Sequence, residues 1–220
     1  MVASIRTVTP APVRWLILTH HHPDHTFGAI VFKRLGAKVI AHPDRTMLAA
    51  EGGDDALVSS WDQVVGVQEL SGFEFADTPD LAVTHDTTLS LGGRRIELLH
   101  PPNAHTVADL AVWLPDAGVL FAGDLVVEDG VTMVVDGSSA GAIRALDELD
   151  ALHAKTLVPG HGRIAKDPET QIAATRAYLD SARAALEQAV NRGTPLSRVL
   201  AHMAPPDSGR PVSLSSRRVT

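Results

Sequence analysis

Short apolar runs alternate with segments of helical periodicity along most of the chain. Residues 13–19 (VRWLILT) form a two-sided apolar run, the mark of a buried strand, and end in HHHPDH at 20–25. TFGAIVFKRLG (26–36) reads as a helix closed by Gly36, and AKVIA (37–41) as a strand that stops at His42-Pro43. Asp44 opens a further helical stretch whose length Gly52-Gly53 leaves open. Over 87–99 Leu89 and Leu91 alternate, Gly92-Gly93 turns, and Ile96 and Leu98 alternate back, which predicts a hairpin. Strands at 110–114 and 118–122 flank the turn signal Pro115-Asp116-Ala117-Gly118.

A helix around 139–152 carries Ile143, Leu146, Leu149 and Leu152 on one face, and strand 156–159 leads into Gly160-His161-Gly162. A longer helix, about 168–191, places Ile172, Leu179, Leu186 and Val190 along one stripe and stops at Gly193. The pattern predicts an α/β architecture, with one domain over 1–203 and a loose tail over 204–220.

Composition narrows the chemistry. With 26 acidic against 19 basic residues the formal net charge is −7, which disfavours nucleic acid as a partner. The absence of cysteine excludes disulfides, thiolate metal sites and a cysteine nucleophile, so any metal must be held by imidazole and carboxylate. No apolar run is long enough to span a bilayer and no basic-then-apolar leader opens the chain, which therefore reads as soluble. The compartment stays open: cytoplasmic as written, periplasmic if a secretion signal once preceded it.

The 11 histidines cluster where predicted strands stop. His20 and His22, two apart on an extended segment, project to one side, whereas Asp24 and His25 follow the bend at Pro23 and point elsewhere. Two ligand pairs thus aim at two nearby points. His105 (ELLHPPNAHT), Asp124 (VLFAGD) and His161 (TLVPGHG) each lie just past a predicted strand, on loops that sheet folds gather along one edge. Five histidines and two aspartates suit two borderline metals such as zinc. Thr19, Thr106 and Asp109 are candidate acceptors for the outer N–H groups of such ligands. His21 reads as a residue behind the ligands or on the surface, and His42, His85, His100, His153 and His202 as ordinary surface or capping histidines.

These motifs resemble the signature of the metallo-β-lactamase superfamily: THHHPDH at 19–25, AHT at 104–106, AGD at 122–124 and PGHG at 159–162, over about residues 4–200. The resemblance implies an αββα sandwich with metals at one edge. It implies His20, His22 and His105 on one zinc, Asp24, His25 and His161 on a second, and Asp124 bridging both. It further implies a hydrolase in which a bridging hydroxide cleaves an ester, amide or lactam, lactone or thioester bond of a small, anionic substrate. Asp24 would be the catalytic carboxylate that orients the nucleophile.

Asp124 stands where one lactamase class has cysteine, Val127 where many carry a substrate-binding lysine, and no G-H-x-x-G-H run follows His105. The stretches 103–130 and 146–162 look most like hydrolases of the quinoprotein-relay and sulfur-oxidation-associated type. Persulfide dioxygenases, with a single iron, share much of the motif set and give the alternative activity. Only nineteen residues precede His20, fewer than the family's first sheet uses. This predicts a truncated first sheet, an N-terminally incomplete chain, and a second alternative, an inactive metal-binding fragment. The oligomeric state is left open.

Overall fold

Val39 and Ile40 are neighbours in sequence and face different cores, because successive side chains on a strand point to opposite sides of its sheet. That alternation explains the architecture of the computed structural model, which describes residues 1–44, 75, 78–128, 132–134, 136–195 and 197–199. Strands β1 (Trp15–Ile17), β2 (Lys38–Ala41) and β3 (Leu81–Ala82) form a parallel sheet in the order β1-β2-β3. On one face Leu18, Val39 and Ala41 pack against Ala29 and Ile30 of helix α3 (Ala29–Arg34). On the other, Ile40 and Val83 meet Leu98, Leu110 and Val112.

Those partners belong to a second sheet. It runs β4 (Thr87–Leu91), β5 (Arg94–Leu99), β6 (Ala111–Leu114), β7 (Val119–Val127), β8 (Thr156–His161), antiparallel except for the parallel β7–β8 pair. Its far face buries Ala111, Trp113, Leu120 and Ala122 against helices α4 (Ser139–Asp150) and α5 (Pro168–Asn191). The layers therefore run α3, first sheet, second sheet, α4 with α5: a four-layer αββα sandwich. Two further helices, α1 (Val2–Val8) and α2 (Pro23–Thr26), flank β1 in sequence.

The elements form for local reasons. The Gly92-Gly93 hairpin turn has positive φ at both positions, as a tight turn between twisted strands demands. Ser138 caps α4 by accepting from Gly141 N, and Asp167 caps α5 by accepting from Thr170 N ahead of Pro168 at the first turn.

Three expectations change. The helix expected over 26–36 is two short ones, α2 and α3, interrupted at Phe27-Gly28, because Pro23 starts the first turn earlier. The strand at 118–122 extends to Val127, its register shifting between Phe121 and Gly123 and again before Val127, so Asp124 lies within a bulged strand rather than beyond its end. The α5 stripe is buried only at Ile172 and Leu179, since Leu186 and Val190 lie exposed on the helix's last turns. The helix expected after Asp44, and His202 with the tail over 204–220, lie outside the described residues.

Candidate metal centre

The loop after β1 is held from both sides. Leu18 N donates to Ile40 O at 3.0 Å, and Leu110 N donates to Thr19 O at 2.6 Å, so residues 18–22 are tied to both sheets at their shared edge. His20 and His22 face the same point, with Nε2 of one 3.1 Å from Nδ1 of the other. His105 enters from the loop after β5, its Nε2 also 3.1 Å from His22 Nδ1. With Asp124 these make one group of potential ligands.

A second group consists of Asp24 and His25 on α2 and His161 at the end of β8. His25 Nε2 and His161 Nε2 are 3.2 Å apart, and Asp24 Oδ2 lies 3.0 Å from His161 Nε2 and 3.4 Å from His25 Nε2. Within each group the ligand atoms all lie within 4.8 Å of one another. Asp124 touches both: Oδ2 is 3.7 Å from His105 Nε2 and 3.3 Å from His161 Nε2, and Oδ1 is 3.2 Å from His25 Nε2. All seven residues expected as ligands therefore meet at one edge of the sandwich.

Several features show that these atoms suit a cation better than each other. His105 Nδ1 donates to Met133 O at 2.6 Å, and His22 Nε2 donates to Asp136 Oδ2 at 2.8 Å. A carbonyl and a carboxylate only accept, so each ring carries its proton outward and turns a bare lone pair inward. His20 Nδ1 contacts Thr19 Oγ1 at 3.1 Å, which leaves Nε2 for the centre. The inward lone pairs of His22 Nδ1 and His105 Nε2 cannot hydrogen-bond each other. Their 3.1 Å spacing is close to the edge of about 3.3 Å that a tetrahedron of nitrogens about 2.0–2.1 Å from zinc would have. Asp124 Oδ1 is shielded from solvent and, among the described residues, meets the His25 Nε2 at 3.2 Å without a well-aligned hydrogen bond. Gly160 makes room for it, because a Cβ at that position would collide with Asp124 Oδ1.

The two groups differ electrostatically. Burial and the neighbouring imidazoles hold His20 well below its ordinary range, and burial also lowers His105. Burial would lower His25 as well, but Asp124 and Asp24 outweigh it and raise His25 to about 9. Hydrogen bonding from His25, working against burial, takes Asp24 down to about 2. For Asp124 the contact with His25 overcomes the upward push of burial, and the net shift is down. In the ion-free protein the His25 proton occupies the place between two carboxylates that a cation would take.

The residues expected behind the ligands divide. Thr19 does reach a ring nitrogen. Thr106 and Asp109 do not: Thr106 donates its N–H and Oγ1–H to the Asp109 carboxylate, each at 2.8 Å, and so braces the loop that carries His105. Burial, opposed by those bonds, raises Asp109 to about 7. His21 lies behind the ligands with its side chain mostly buried; its Nε2 is 3.9 Å from Asp136, and its Nδ1 has no hydrogen-bond partner among the described residues. Burial lowers it to about 4. Away from the centre, His42 stacks on His100 with ring centroids 4.5 Å apart, and His100 Nδ1 donates to Asp109 O. Two groups escaped the sequence: the Met133 carbonyl, which no side-chain pattern announces, and Asp136, whose only signal is an acid in the loop before the Ser138 cap.

Fold and centre together define an αββα protein with an edge site of histidines and aspartates able to hold metal. The chain belongs to the metallo-beta-lactamase superfamily, whose model matches residues 3–161. It is 30% identical over 149 residues to a hydroxyacylglutathione hydrolase from Chromohalobacter salexigens, covering 66% of this chain and 47% of that one. It is 28% identical over 187 residues to another from Acidiphilium cryptum (80% and 65%), and 26% identical over 157 residues to a metallo-beta-lactamase type 2 from Bacteroides fragilis (69% and 54%). The chain spans about half the length of the curated relatives it matches. Among solved structures, a metallo-beta-lactamase from Pontibacter korlensis superposes with a TM-score of 0.62 at 24% identity, covering 81% of this chain and 74% of that one. A metallo-beta-lactamase family protein from Thermus thermophilus gives 0.60 at 25% identity, covering 80% and 62%.

Proposed function

We propose that this chain is a zinc-dependent hydrolase with two ions per chain. His20, His22 and His105 would hold one, Asp24, His25 and His161 the other, and Asp124 would reach both. The observation that carries this reading is the placement of the Asp124 carboxylate, with one oxygen toward His25 and the other toward His105 and His161. When bound, such a pair of ions lowers the pKa of water to near neutrality and polarises a carbonyl oxygen.

The protein's own groups do the rest. The outward hydrogen bonds of His22 and His105 fix which nitrogen faces the centre. Asp24 is partly exposed at the mouth and, held ionised, can accept a hydrogen bond that orients an attacking water. With its carboxyl at about 2 it is better placed to orient than to carry a proton. A small ester, lactone, lactam or thioester bearing an anionic group is the substrate class. Thioesters come first in the test because several relatives are hydroxyacylglutathione hydrolases. Among the described residues no helix is long and apolar enough to cross a membrane.

The test is metal analysis of purified protein followed by a panel of those four bond types. About two zinc ions per chain, turnover of one class, and loss of both on Asp124→Ala are expected. One iron per chain with oxygen consumption would replace the hydrolase by a persulfide-type oxygenase, and zinc without turnover would leave a metal-binding fragment.

A further inference from the structure

We infer that Asp136 is a positioning residue of the first metal group, selecting the tautomer of His22 that presents Nδ1 to the ion. This rests on the reading above and deepens it, naming the residue on which the outward hydrogen bond of His22 depends.

His22 is the one histidine of its group that faces the centre through Nδ1; His20 and His105 face it through Nε2. A neutral imidazole carries one proton, and only the Nε2–H form leaves the Nδ1 lone pair free. In the other tautomer Nδ1–H would donate to the His105 Nε2 lone pair 3.1 Å away, and His22 would offer an ion nothing. Asp136 decides between them. Its Oδ2 lies 2.8 Å from His22 Nε2, and a carboxylate oxygen there draws the ring proton to that side.

The carboxylate is itself held. Asp136 is mostly buried, and Ser138 N donates to Ala104 O at 2.9 Å, fastening the loop of Asp136 to the residue before His105. Met133, in the same loop, accepts from His105 Nδ1. Met133 and Asp136 therefore set the tautomers of two histidines that approach from different parts of the chain. A rival use of the same atoms is a third cation held by His21, His22 and Asp136, whose ligand atoms also lie close together. It is disfavoured because His22 would have to give up its Nε2 proton as well and serve two ions from one ring.

The test uses the full chain with Asp136→Ala and Asp136→Asn. Zinc affinity is read by competition with a chromophoric chelator, and the His22 tautomer by imidazole nitrogen–proton NMR of the metal-free protein. In wild type His22 should show one Nε2–H form. In Asp136→Ala it should become a mixture, and the first ion should bind about 10–100-fold more weakly. Asp136→Asn, which keeps an acceptor oxygen and the side-chain volume, should fall between the two; it carries the same readouts if the alanine variant does not fold. The ion held by Asp24, His25 and His161 should bind within about threefold of wild type.

An unchanged His22 tautomer, or first-ion affinity within twofold of wild type, overturns the role of Asp136 and leaves the hydrolase reading standing. A third zinc equivalent in wild type that disappears in the variants also overturns it, in favour of the extra cation. Wild-type protein that takes up no zinc would defeat the hydrolase reading and this inference with it.

Discussion

Filling the second metal group should release close to one proton per chain at neutral pH, and filling the first should release fewer. The difference lies in what each group holds without an ion. His25, whose Nε2 stands 3.2 Å from Asp124 and 3.4 Å from Asp24, has its proton held up to about 9. At pH 7 the neutral form that a metal needs is about one part in a hundred. Displacing the proton costs about 2.7 kcal/mol, from two pH units at 1.36 kcal/mol each. Second-group affinity should therefore climb about tenfold per pH unit from 7 and level off near 9. His20 and His105 are shifted down by burial and carry no proton to displace at pH 7.

Calorimetric zinc titration in two buffers of different ionisation enthalpy counts the protons, and His161→Ala, which keeps the first group, reads that group alone. The same shift has a stability consequence in the metal-free protein. A raised pKa in the folded state contributes stability that is present below about 6.5 and lost as pH rises through about 9. Over that window the loss is roughly 3 kcal/mol, a melting point lower by about 6–12 °C. Equal proton release from both groups, or second-ion affinity flat between pH 7 and 9, would refute the reasoning.

Three further outcomes follow from burial and close approach. Leu146→Ala removes a fully buried side chain from the core under α4 and should cost about 2–5 kcal/mol in chemical denaturation, with zinc stoichiometry unchanged. Gly160→Ala drives a Cβ into Asp124 Oδ1 and should weaken zinc binding at both groups in chelator competition, with a stability loss of about 1–3 kcal/mol. Asp109, raised to about 7, should make the metal-free protein lose stability as pH rises from about 4 to about 7, by up to roughly 4 kcal/mol. Asp109→Asn should flatten that slope in denaturation series at several pH values.

What the sequence made legible is what side-chain pattern encodes. The hairpin at 87–99 and the apolar face of α4 are local patterns, and β4, β5 and α4 lie where they predict. The seven ligand candidates were legible for a related reason: each is a chemically distinctive residue at or near the end of an apolar run, and the fold brings such ends to one edge. The bulge in β7 was not legible, because VLFAGDLVV is apolar through the Asp124 position and nothing in it says that the register slips. Nor was the acceptor for His105, since Met133 acts through its backbone carbonyl. Thr106 and Asp109 had the right composition to meet a ring N–H, yet they satisfy one another instead, because two residues three apart in a tight loop reach each other before they reach the imidazole.

The two candidate ligand groups are built by different means, and that difference bears on the chemistry. The first is enclosed: His105 and Asp124 are nearly inaccessible, and the backbone loops behind the rings have already settled which nitrogens face inward. The second lies at the mouth, where His161 is half exposed and Asp24 about a third, and its atoms are held by the ion pairs of His25 with Asp24 and Asp124 rather than by backbone acceptors. Enclosure lowers the pKa of the first group's buried imidazoles and so favours a cation without competition from protons. Exposure leaves the second group open to water, and its one carboxylate, Asp24, stays ionised to accept a hydrogen bond from it. The shared carboxylate couples the halves: Asp124 is ordered from the enclosed side by the β7 bulge and the space over Gly160, and it presents that order to His25 and His161 at the surface. An enclosed inner group thus shares its carboxylate with a more accessible outer one.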